Sequence, residues 1–134
     1  MEYLAGIVIA LVVSLFATLV GFDKERSFYP AVLVVIASYY GLFAVMGGSL
    51  QAVLSESVVM AVFLVATVLG FKRNLWVVVA ALAIHGLFDF FHGHFIFNPG
   101  VPSWWPMFCL TYDVVAAIYL AYLLRHSRVV ANAR

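Results

Sequence analysis

The sequence predicts an all-α membrane protein: a polytopic bundle of five transmembrane helices that forms one domain over residues 1–134. Of its 134 residues 66% are hydrophobic and only 10% charged, far from the mix of a water-soluble domain. The apolar residues fall into five segments, at 3–22, 28–47, 50–71, 75–97 and 104–124, each near the roughly 20 residues that cross a bilayer core. All seven basic residues then lie on one side: Lys24 and Arg26, Lys72 and Arg73, and Arg125, Arg128 and Arg134. The connections "GGSLQ" and "NPGVPS", and the start of the chain at Met1 and Glu2, have none. Because basic residues are retained in the cytoplasm, this polarity predicts an N-terminus outside and a C-terminus inside.

Segment one begins "MEYLAG", with an acid where a secretion signal is basic and with no small-residue cleavage site, so it reads as a retained helix. Segments two and five open alike, with "SFYP" at Ser27 to Pro30 and "SWWP" at Ser103 to Pro106. In each, a serine is placed to cap, two aromatics sit at interface depth and proline occupies the first turn, where its missing N–H costs nothing. Cys109 lies inside segment five, and as the only cysteine it excludes an intrachain disulfide. The short connections leave no soluble domain, so any chemistry belongs to the bundle or its rims. A net charge of +1 provides no basic surface for nucleic acid. The partner is the lipid bilayer, with the tail "RHSR" resting on anionic headgroups.

The stretches "GFDKERSFYP", "SYYGLFAVMGG" and "NPGVPSWWPMFCLTYDV" resemble a family of small bacterial integral membrane proteins classed as a domain of unknown function. The likeness covers nearly the whole chain. It implies a multi-pass protein of the bacterial inner membrane and brings no activity with it.

Segment four contains "HGLFDFFHGHF". On an α-helix Asp89 lies about 40° from His85, and His92 about 20° to its other side, so the three share one stripe, while His94 points away. Gly86 and Gly93 form a notch beside that stripe for close helix approach. Glu56 in segment three and Asp113 in segment five each have small neighbours on their own face, the pattern of a helix packed against helices. Counting roughly 1.5 Å per residue from the basic end, His85 and Asp113 come out near 15 to 17 Å deep, with Asp89 and Glu56 near 21 Å. Ser38 and Tyr39 match the lower tier, Tyr112 adjoins Asp113, and all three read as supporting groups. The basic-end halves of the five segments contain no ionisable acid or base, so the pocket is blind and opens toward the opposite face.

A lone charge at mid-helix costs about 2.5 to 3.5 kcal/mol on an insertion scale, so such groups need compensation. Imidazoles and carboxylates suit zinc or iron. His85 and His92 are about 10.5 Å apart in rise, too far for one ion. A single ion would use His85 and Asp89 with Asp113, or Asp89 and His92 with Glu56; two ions would fill both tiers. The same catalytic candidates, His85, Asp89, Glu56 and Asp113, could instead move protons without metal on a lipid or other apolar small molecule. The readings from other classes are a hydrogen-bonded plug, a proton or cation transporter, and a non-enzymatic subunit that forms a homo-oligomer through its glycine-bearing faces.

Overall fold

The computed structural model describes residues 1–133 and contains five long α-helices: α1 Glu2–Val20, α2 Phe28–Met46, α3 Leu50–Lys72, α4 Trp76–Phe95 and α5 Trp105–Arg125. All five are long and apolar enough to cross a membrane. The shortest have 19 residues, which at about 1.5 Å each match the hydrocarbon thickness of a bilayer. Their limits fall within two residues of the expected segments. Arg134, counted above among the basic residues, lies outside the described residues.

Local signals account for some helix ends and not for others. α1 stops at Gly21, whose φ of 90° is left-handed and whose N–H reaches the Ala17 carbonyl at 2.8 Å, a backbone state that glycine adopts without strain. Ser49 caps α3 by accepting the Ala52 N–H at 3.2 Å. The two serines expected to cap do not. Ser27 stands at the start of α2 with helical backbone angles and no side-chain bond, whereas a capping residue needs an extended backbone. In α5 the N-cap position belongs to Trp104, with proline in the first turn, so the helix starts too late for Ser103.

α5 packs between α1 and α4, α4 continues to α3, and α3 to α2, which also touches α4. α1 and α2 do not pack along their length, which leaves a cleft over α5. α1 buries only Gly6, Ala10, Ser14 and Ala17, a stripe of small residues that lets two backbones approach without a hydrophobic driving force. A Cβ on Gly6 would lie 2.4 Å from the Phe108 carbonyl oxygen. Gly86 does the same for α4, where a Cβ would lie 3.1 Å from the Leu110 carbonyl and 3.2 Å from Asp113 Cβ. Gly93 has nothing within 4 Å, so the expected notch is confined to Gly86.

The apolar core gathers toward the basic end, around Leu75, Val78, Leu82, Leu120 and Leu123. The tail folds back over it, burying Val129. Leu75 N–H donates to the Ala131 carbonyl at 2.9 Å and Ala133 N–H to the Arg73 carbonyl at 3.0 Å. The Arg26 guanidinium donates to the carbonyls of Val130, of Ala131 at 2.6 Å and of Phe71 at 2.8 Å. Arg26 thus ties together the α1–α2 connection, the end of α3 and the tail.

Candidate functional site

The stripe expected on α4 faces inward: His85, Asp89 and His92 are all buried, whereas His94 is exposed. The close approach at Gly86 brings Asp113 of α5 against it. His85 Nδ1 lies 2.7 Å from Asp113 Oδ2 and 3.4 Å from Asp89 Oδ2. One ligand atom from each of the three residues lies within 4.8 Å of the others, and none is more than 1% exposed. Phe63 of α3 closes the group from one side, its ring edge-on to His85 at 4.6 Å.

What sets this cluster apart is how little of it is satisfied. Among the described residues, both carboxylate oxygens of Asp89, Oδ1 of Asp113 and the buried Tyr40 hydroxyl have no hydrogen-bond partner. Leaving one buried polar group unpaired costs roughly 1 to 3 kcal/mol, more if it is charged. These oxygens therefore call for a cation or for protons. One imidazole and two carboxylates form a donor set that zinc or iron accepts, with a coordination position left over. The residues present fit such an ion.

The remaining two acid and base candidates form a separate and better satisfied pair. His92 Nε2 lies 2.8 Å from Glu56 Oε1, which also accepts the Asn98 side-chain N–H at 2.9 Å. Asn98 Nδ2 donates a second time, to the Tyr40 carbonyl at 3.0 Å, while its Oδ1 accepts from Gly100 N at 3.2 Å. The Tyr40 ring stacks on the His92 imidazole, with centroids 4.1 Å apart. Of the two single-ion sets open to the sequence, the structure assembles His85, Asp89 and Asp113. Glu56 and His92 are engaged with each other one turn farther along.

The supporting groups lie outside both clusters. Ser38 donates to its own helix, at the Val35 carbonyl 2.6 Å away, and lines a lipid-side notch between α2 and α3. Tyr39 packs against Trp105 at 5.0 Å. Together with Tyr112 it lines an apolar cavity of about 420 Å³ between α1, α2 and α5. The reason is azimuth: the buried stripe of α2 runs through Leu33, Ile36, Ala37, Tyr40, Phe43 and Ala44, so Tyr40 and not Tyr39 looks into the bundle. Cys109, one turn before Asp113, forms part of the cavity wall. Two groups went unmarked in the sequence, Tyr40 and Asn98.

Fold and site together define a class: a five-helix membrane bundle with a buried His–Asp–Asp cluster able to coordinate a metal ion. No family model matches the chain, and neither a curated protein nor a solved structure matches it.

Proposed function

We propose that this protein is an enzyme of the bacterial inner membrane that holds zinc or iron on His85, Asp89 and Asp113 and acts on a lipid or other apolar small molecule. The observation that carries this reading is the set of three unpaired carboxylate oxygens on Asp89 and Asp113 beside the His85 imidazole, all within the apolar interior. Ionisable groups in such a place are a functional site by default. A bound ion would offset their charge and supply Lewis-acid polarisation of a substrate or an activated water. Glu56 and His92, 2.8 Å apart, are placed to exchange a proton with each other next to that centre. The apolar cavity lined by Tyr39, Tyr112 and Trp105 supports an apolar substrate, and Cys109 in its wall is one turn from Asp113. Basic residues retained inside would put the Glu56–His92 pair toward the outer leaflet.

One distance favours a second reading. Ligands about 2.0 to 2.1 Å from a tetrahedral ion are roughly 3.3 Å apart, whereas His85 and Asp113 stand at 2.7 Å. That separation is a direct hydrogen bond, the arrangement for metal-free proton transfer between the same side chains. The test of the enzymatic reading uses protein reconstituted in bacterial lipid extract, with zinc or iron supplied, and mass spectrometry of the lipids. Wild type should convert at least one lipid species that Asp89→Asn and His85→Ala leave unchanged. An identical lipid profile for all three proteins would reject it.

A further inference from the structure

A second buried acid lies at the basic end, away from the His–Asp–Asp cluster. The stretch "GFDKER" reads as a charged connection, yet a single 3-10 turn at Phe22–Lys24 folds Asp23 back beneath the end of α1, where it is 3% exposed. Asp23 Oδ2 accepts the Thr18 hydroxyl, and Thr18 Oγ1 is 2.8 Å from the Tyr119 hydroxyl of α5. Among the described residues Asp23 forms no ion pair. Arg26, three residues on, is spent on the carbonyls of Phe71, Val130 and Ala131. From α2 the Tyr29 side chain, also 3% exposed, brings to the same corner, beside Ser14, a hydroxyl with no hydrogen-bond partner among the described residues. The final carbonyls of α1 add the negative end of the helix dipole.

We infer that Asp23, Thr18, Tyr119 and Tyr29, at the C-terminal end of α1, form a binding site for a hard monovalent cation, of which Na⁺ is the natural case. Every donor is an oxygen, which excludes the preference for nitrogen and sulfur that marks a zinc site. One carboxylate balances one positive charge, whereas Ca²⁺ sites draw on several. Helix C-terminal ends and side-chain oxygens are the elements from which membrane proteins build Na⁺ sites. The donors come from α1, α2, α5 and the 3-10 turn, so an ion here would fasten α1, which otherwise contacts the bundle mainly through α5. Tyr119 lies six residues beyond Asp113, roughly 9 Å of helix rise. The site is therefore separate from the metal cluster and does not depend on the proposed function.

The experiment is thermal unfolding of the purified protein at fixed ionic strength as choline chloride is replaced by sodium chloride, paired with equilibrium binding of ²²Na⁺. Wild type should show a midpoint that rises with Na⁺ and saturable binding near one ion per chain. Asp23→Asn should lose both responses, and Thr18→Val should weaken the apparent affinity at least tenfold. His85→Ala should keep both, since it lies in the other cluster. Should Asp23→Asn fail to fold, Thr18→Val carries the same comparison. Equal midpoints in sodium and choline with no saturable binding, or full retention of binding in Thr18→Val, would overturn the assignment.

Discussion

In the presence of chelator, Asp89→Leu should raise the thermal midpoint of the purified protein and Glu56→Leu should lower it, although both replace a buried carboxyl by an apolar side chain of similar size. The difference lies in who is left behind. Both oxygens of Asp89 are already without hydrogen-bond partners among the described residues, and His85 Nδ1, 3.4 Å from Asp89, is engaged with Asp113 at 2.7 Å. Removing Asp89 thus strands nothing and relieves an unsatisfied group, a gain of about 1 to 3 kcal/mol. Glu56 Oε1 is bonded to His92 Nε2 and accepts from the Asn98 side chain. Its loss leaves two buried polar groups, one on His92 and one on Asn98, without that partner, at about 1 to 3 kcal/mol each. Unfolding of the two variants against wild type, followed by intrinsic fluorescence, checks the opposite signs; shifts in one direction would contradict the assignment of partners.

Gly100→Ala should be the most damaging single methyl in the α4–α5 loop. A Cβ there would sit 1.8 Å from the Phe43 carbonyl oxygen and 2.6 Å from its carbon, and these are backbone atoms that cannot swing aside. The loop must lift, and with it Asn98, which bridges Gly100, Tyr40 and Glu56. Overpacking of this kind costs about 3 kcal/mol, and the stranded Glu56 adds to it. Gly93→Ala is the control: with nothing within 4 Å of the new methyl, the midpoint should hold or rise slightly, as expected for alanine inside a helix. Equal midpoints for the two variants would mean that the loop is not seated on α2.

Length and polarity made the five helices legible, because a bilayer core demands runs of about 20 apolar residues and little else satisfies it. The stripe on α4 was legible for a different reason, since His85, Asp89 and His92 lie on one helix and their spacing fixes their common face. What joins separate helices was harder. Residue counts matched Glu56 in depth to Asp89, yet its side chain reaches His92, one turn farther along. Counting could match Tyr39 to a tier but not place it on a face, because a helix apolar all round has no moment to mark its inner side, and the buried face belongs to Tyr40. Small residues offered a usable signal: Ala37 and Ala44 flank Tyr40 at three and four positions, the same pattern that pointed to Glu56 and Asp113. Asn98 carried only a turn signal, its carbonyl bonded two residues on to Gly100, as asparagine commonly does in loops. Its two inward donors exist only once the chain is folded. Asp23 was hidden likewise, since a 3-10 turn is needed to return it to the bundle.

The central claim, that His85, Asp89 and Asp113 hold a metal ion, is tested most directly by elemental analysis of protein purified without chelator from cells grown with added zinc and iron. Wild type should contain about one zinc or iron per chain, the stoichiometry of a single three-residue site. Asp89→Asn and Asp113→Asn should lose most of it. His94→Ala, whose side chain is exposed, should retain it, and so should His92→Ala, whose imidazole is engaged with Glu56. Wild-type protein free of metal under these conditions would contradict the claim and leave proton transfer between His85 and Asp113, and depletion by His92→Ala as deep as by Asp89→Asn would place the ion on the wrong side chains.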